Sequence, residues 1–259
     1  MCYSTTTRLK QEAEYAKQRF KDEALIKKLE VLLLELKDEP KLYFANGFGH
    51  PKLMVFTDAQ PDKPQLFTWG LIPSWTKSEA DGKKFWNNTL NARGETIWEK
   101  SSFRDSAKNK RCLIYVDSFF ENHHQGKLKY PFRILMKDES PMALGGLWSE
   151  WVNKETGEIL NTVTIVTTEG NSLLSKIHNN PEAEMGPRMP VILPTEKQDE
   201  WLMPCKTDAD KKHIDSLIKP FDDSLLKAYT VPRLLGKEGV GNSPKALEHF
   251  NYSELELKV

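Results

Sequence analysis

The sequence lacks most of what would place a chain quickly. Its 259 residues include only Cys2, Cys112 and Cys205 as cysteines. That odd number, with no CxxC spacing, speaks against both a disulfide-framed secreted protein and a cysteine-held zinc site. No run of about eighteen apolar residues occurs and no basic stretch leads into an apolar one near the start, so neither a membrane span nor a leader is expected. An excess of one charge is missing too. The 37 Lys and Arg balance 37 Asp and Glu, so any polyanion site has to be local. Internal repeats, low-complexity blocks and long linkers are also absent. These absences point to a reducing, cytoplasmic setting and to one domain over 1–259, large enough to bury a core.

What is present changes texture along the chain. Residues 9–36 have apolar positions at three-to-four spacing among charges and read as a helix stopped by Pro40. This gives a helical insertion at about 9–38, packed by one stripe or holding a partner. From Tyr43 to about Ile165 come short β-like runs, among them LMVF, LFTWGLI, CLIYV, FRILM and TVTIVTT, separated by Gly, Pro and Asn. Helix-compatible stretches follow at TEKQDEWLM and DADKKHIDSLI, and a polar, turn-rich tail at about 233–259 is expected to wrap the surface. The pattern predicts an α+β fold with a mainly antiparallel, barrel-like β core and peripheral helices.

Four stretches place polar residues where chemistry is feasible. In TLNARGETIWEK, Asn91, Arg93 and Glu95 cluster; a helix start capped by Asn91 is an equally simple reading. In VDSFFENHH, Glu121 follows Phe119 and Phe120. Against aromatics its neutral form gains and it becomes a general acid; facing solvent it does nothing special. In SKIHNNPEAEMGPRMP, His178 can move protons and Arg188 can hold a phosphate, although a lone histidine is more often structural. Adjacent His123 and His124 point to opposite strand faces and are read as surface residues rather than metal ligands. Around LFTWGLIPSW and KKFWNN, Trp75 and Trp86 sit among Lys77, Lys83 and Lys84, as in proteins that stack bases and neutralise phosphates. Trp69 fits a buried strand position better.

The order of these segments is more specific than any one of them. Cys2 near the start, WGLIPSW, LNARGET, a strand ending in FFE, GGLWSEW, TIVTT, a histidine and then RMPVIL occur in one sequence. That order resembles the SOS-response-associated peptidase (SRAP) family, from Cys2 to about Leu202.

The resemblance implies a covalent sensor of abasic sites in single-stranded DNA. Cys2, freed by loss of Met1, attacks with its α-amine and thiol to form a thiazolidine with the open-chain aldehyde. Both groups belong to one residue, which makes their effective concentration toward each other very high. By the same resemblance Asn91 orients the amine, Glu121 is the general acid, and His178 shuttles protons. Arg93 and Arg188 are the implied phosphate contacts, and Trp75 and Trp86 complete the DNA-binding set. No cofactor or metal is implied. The expected form is a monomer, nucleoid-associated when on DNA and without a membrane partner. Two alternatives stay open: a thiol peptidase acting on itself or on other proteins, and a non-catalytic module for single-stranded DNA. The chain departs from the family pattern in three places. MCYS stands for MCGR, Asn122 replaces a tryptophan after FFE, and NNPEAEMGP separates His178 from Arg188; the third is expected to loop out and leave the histidine in place.

Overall fold

The computed structural model describes residues 2–7, 19–20, 23–24, 26–27, 30–31, 41–181 and 186–257. The helix expected at 9–38 lies largely outside them.

Two sheets share the strands. The first holds β1 (Ser4–Thr7), β2 (Leu42–Asn46), β7 (Ser118–Gln125), β8 (Leu128–Met136) and β12 (Leu226–Thr230), in the order β12-β8-β7-β1-β2. The second contains β3 (Lys52–Thr57), β4 (Gln60–Trp69), β6 (Arg111–Val116), β9 (Met142–Val152) and β10 (Ile159–Glu169). These five close on themselves, each pairing with the next and β10 returning to β9. Only the β4–β10 contact in this ring is parallel. Closure removes the free edges of the ring. The short strands β5 (Asn91–Arg93) and β11 (Arg188–Pro190) add to β10, parallel and antiparallel respectively. The fold is α+β with a closed, mixed five-stranded barrel core, as the strand texture predicts.

Side-chain alternation explains the barrel strands. Leu53 and Val55 of β3, and Cys112, Ile114 and Val116 of β6, enter one buried cluster. Met54, Phe56, Leu113 and Tyr115, from the same strands, enter another. A strand buried on both faces reads as an unbroken apolar run, and CLIYV is one. Trp201 and Leu202 of a helix (Thr195–Leu202) and Ile214 and Leu217 of the next (Asp208–Leu217) complete the second cluster. The latter helix starts with a capping box between Thr207 and Asp210. The first cluster lies between the ring and the other sheet, joining ring residues to Phe119, Phe132 and Ile134.

The strand that matters most for function is the least conspicuous. STTT of β1 is short and polar, yet Thr5, Thr6 and Thr7 are buried. β-branched threonine suits the pleat, and Thr6 Oγ1 donates to the Tyr43 carbonyl at 3.0 Å. β1 is held on both sides, by β2 and by β7. This pins the start of the chain to the first sheet and carries Cys2 into the core.

Candidate active site

Cys2 is fully buried within the apolar cluster that holds Leu90, Phe119 and Ile165. Its thiol donates to the Ser4 carbonyl at 3.7 Å. Thr5 pairs with Phe119 and Thr6 with Ser118, and the same register carried two residues back sets Tyr3 beside Glu121. Burial and the nearby Glu121 charge both push the Cys2 thiol up.

Glu121 lies on β7 with its side chain on the Phe119 face and is 6% exposed. Burial raises its carboxyl to about 7, so near neutrality it is balanced between acid and base. His178 is 8% exposed and its Nδ1 lies 3.8 Å from Glu121 Oε2. Burial lowers the imidazole to about 4, so it is neutral at pH 7. Of the two settings expected for Glu121, the buried one rather than the solvent-facing one is observed.

His178 closes the C-terminus of a short helix (Ser172–Ile177) that Asn171 caps. The chain meets it again at Arg188: His178 Nδ1 lies 3.2 Å from the Arg188 carbonyl oxygen and 3.3 Å from its amide nitrogen. The insertion thus leaves the histidine against RMP. His123 and His124 hold this turn. A His123 ring nitrogen is 2.9 Å from the Lys176 carbonyl, and Asn179 exchanges hydrogen bonds with the His124 backbone at 2.7 and 2.8 Å. Both histidines are half-buried clasps rather than free surface residues, because the polar end of that helix has to be satisfied.

Asn91 is no helix cap. It lies in β5 beside Ile165 of β10, with 9% of its surface exposed. Neither Nδ2 nor Oδ1 has a hydrogen-bond partner among the described residues. Leaving such a group unpaired is costly.

Arg93 and Arg188 differ. Arg93 is half-buried, and its charge acts on Tyr3 and Glu95. Arg188, expected to meet phosphate, is 5% exposed. Its guanidinium makes a two-pronged pair with Glu95 at 2.9 and 2.8 Å and donates to the Thr167 carbonyl at 2.9 Å. Burial raises the Glu95 carboxyl, but the Arg188 hydrogen bond, a backbone hydrogen bond and the charges of Arg188 and Arg93 together outweigh it and the net shift is downward. Arg188 therefore braces β11 and the turn after β5 through Nη1 and Nη2, while its buried Nε has no hydrogen-bond partner among the described residues. The signal in the sequence was Glu95 itself, read there only as part of a polar cluster.

The tryptophans are placed unequally. Trp75 is 47% exposed and packs edge-on against Phe85 at 5.3 Å. Trp86 is half-buried, with one face stacked on His50 at 4.3 Å and 18°. Its edge lies against Gly70, where φ is +117° and an added Cβ would come within 2.7 Å of Trp86. Only one of its faces remains for a base. Trp69 is fully buried and donates its indole N–H to the Leu90 carbonyl at 2.8 Å.

Known proteins share both the sequence and this architecture. The chain is 40% identical over 197 residues to the abasic site processing protein YoqW of Bacillus subtilis, covering 76% of this chain and 81% of that one. It is 31% identical over 153 residues to the abasic site processing protein HMCES of Xenopus tropicalis, covering 52% and 43%. The crystal structure of a protein from Bacteroides thetaiotaomicron superposes with a TM-score of 0.78 at 33% identity, over 96% of this chain and 100% of that one. The profile described as SOS response associated peptidase (SRAP) matches residues 1–238, and the chain belongs to that family.

Proposed function

We propose that this protein processes abasic sites in single-stranded DNA by forming a covalent crosslink through Cys2 once Met1 has been removed. The observation that carries the reading is a buried Cys2 beside a carboxyl whose pKa is raised to about 7. The abasic processing named for YoqW and HMCES supports it.

The chemistry follows from the groups present. The Cys2 α-amine adds to the aldehyde carbon of the opened deoxyribose, and the carbonyl oxygen leaves as water from the carbinolamine. Glu121, protonated about half the time near pH 7, gives the proton that this departure needs. The Cys2 sulfur then bonds to the imine carbon and its proton passes to the nitrogen, closing the thiazolidine. Water is the only product lost. Burial holds the thiol protonated at rest, so the thiolate forms beside the imine, with Glu121 in its carboxylate form taking the proton.

Neutral His178 accepts and returns a proton as the sugar opens, next to the Glu121 carboxyl. Asn91, with both side-chain polar atoms unpartnered, orients the freed amine. Arg93 takes the phosphate beside the lesion, a contact that positions without reading sequence, and the exposed Trp75 offers a stacking face. The contacts of Cys2 and His178 favour this chemistry over a thiol peptidase. The thiol bonds to Ser4, and His178 Nδ1 faces Glu121 and Arg188.

Intact mass spectrometry tests the reading. Protein lacking Met1, incubated with an oligonucleotide bearing one abasic site, is expected to give a heat-stable species equal to protein plus DNA minus one water. Cys2→Ser gives none, and protein retaining Met1 gives none. Absence of the adduct in the processed protein overturns the proposal.

A further inference from the structure

A cavity of about 490 Å³ opens on the first sheet, on the face that Phe120 and Asn122 share. Strand alternation puts these residues opposite Phe119 and Glu121. Phe44 and Phe120 form its apolar floor, at 6% and 5% exposure, while Lys127, Lys129 and Arg233 stand around it. Tyr3 and Ser4, which follow Cys2 in the chain, also line it, as does Glu121. Among the described residues neither Lys127 nor Lys129 has an ion-pair partner. The one ion pair of Arg233 among the described residues is with an exposed Glu238, at 3.6 Å. The acidic tail residues Glu254 and Glu256 are tied through their backbones to Gln125 and do not line the cavity.

Three cations around an apolar floor, at a volume typical of ligand pockets, make a site for a chain that alternates phosphate with flat apolar groups. Single-stranded nucleic acid has that composition. We propose that the cavity receives the single strand leaving the lesion on one side, with Lys127, Lys129 and Arg233 on its phosphates and the floor against a base or sugar. The inference rests on the abasic-site reading and gives the site a direction, because the cavity opens on one face of β7 and extends from Tyr3 and Ser4, next to Cys2 in the chain, toward the β7–β8 turn. Local cations of this kind also reconcile DNA binding with a formal net charge of +0.

The test uses Lys127→Gln/Lys129→Gln, which alters only exposed side chains. Fluorescence anisotropy reads the binding of oligonucleotides containing tetrahydrofuran, an unreactive abasic analogue, over a series of salt concentrations. Each phosphate contact to a single strand contributes about 0.7 to the slope of log affinity against log salt, so the slope is expected to fall by about 1.4. The fall should appear with oligonucleotides extended on one side of the lesion and vanish with those extended only on the other. An unchanged slope for every oligonucleotide overturns the proposal, as does an equal fall on both sides. The covalent reaction is scored separately, on a trinucleotide too short to fill the cavity. There the double variant should form adduct at the parental yield. If the parent forms no adduct while the one-sided slope change persists, the crosslinking chemistry fails and the strand path stands.

Discussion

One strand, β7, carries two buried polar clusters that are built on opposite principles. At its start, Ser118 meets Arg133 of β8, which is 7% exposed and has its donors matched: Nε to Ser118 Oγ at 2.8 Å, Nη1 to Tyr229 Oη at 2.6 Å and Nη2 to Asp117 at 2.7 Å. Three residues on, Glu121 is about equally buried, but burial raises its pKa to about 7 and lowers that of neighbouring His178 to about 4. Asn91, 9% exposed, has two polar atoms without partners. The first cluster gains from each of its charges. The second holds its groups in the states that burial prefers and spends stability to do so. Matched polar groups specify a fold, whereas mismatched ones prepare a reaction.

The largest difference should appear on deleting a partner. Asp117→Ala leaves the Arg133 guanidinium buried without its counter-charge, and loss of a partner from such a pair costs about 3–5 kcal/mol. Denaturant unfolding measures this. Glu121→Gln removes a carboxyl of similar burial and should instead stabilise the fold at pH 7, by about 3 kcal/mol. Equal losses from the two substitutions would erase the distinction between the clusters.

The contrast also shows what the sequence can reveal. CLIYV was legible because burial on both faces leaves an apolar run, and TVTIVTT because all its residues are β-branched. β1 was not, because STTT is polar and its burial is set by β2 and β7, partners distant in the chain. Without β1, nothing in the first ten residues says that Cys2 is enclosed. The site residues Cys2, Glu121, His178 and Asn91 were reached through the order of motifs rather than through local pattern. The pairing of Arg188 with Glu95, 93 residues apart, was illegible because an arginine before MP looks the same whether it faces phosphate or carboxylate. That Asn91 lies in a strand depends on its pairing with β10, where local preference alone allowed a cap.

pH sharpens the comparison at intermediate scale. Glu121 has a native pKa of about 7 against an ordinary 4.5. Between those values the native state keeps a proton that the unfolded chain has released, so stability falls as pH rises. His178, at about 4 against 6.5, acts the other way: the unfolded chain takes a proton first, and stability falls as pH drops from 6.5 toward 4. In the parent the two slopes largely offset each other between about pH 4.5 and 6.5. Glu121→Gln should be more stable than the parent by about 3 kcal/mol at pH 8 and equal to it at pH 4. His178→Gln should show its gain at pH 4 and none at pH 8. Unfolding curves across pH read both gains, and flat differences would mean that the two groups titrate at ordinary values. The adduct rate of the parent should also decline above pH 7, as Glu121 loses the proton it has to give.

The smallest expected effect on stability is at Asn91, and it separates a binding group from a folding group. Asn91→Leu keeps the volume and removes two polar atoms that have no partner among the described residues. Replacing unsatisfied polar atoms with apolar ones is close to neutral or favourable, so unfolding free energy should stay within about 1 kcal/mol of the parent. The adduct rate, by contrast, should drop about 100-fold, because the freed amine of Cys2 loses the group that aims it at the aldehyde. Affinity for the tetrahydrofuran oligonucleotide should hardly change, since phosphate contacts are untouched. A stability loss approaching that of Asp117→Ala would instead mean that Asn91 belongs with the matched cluster and holds the fold.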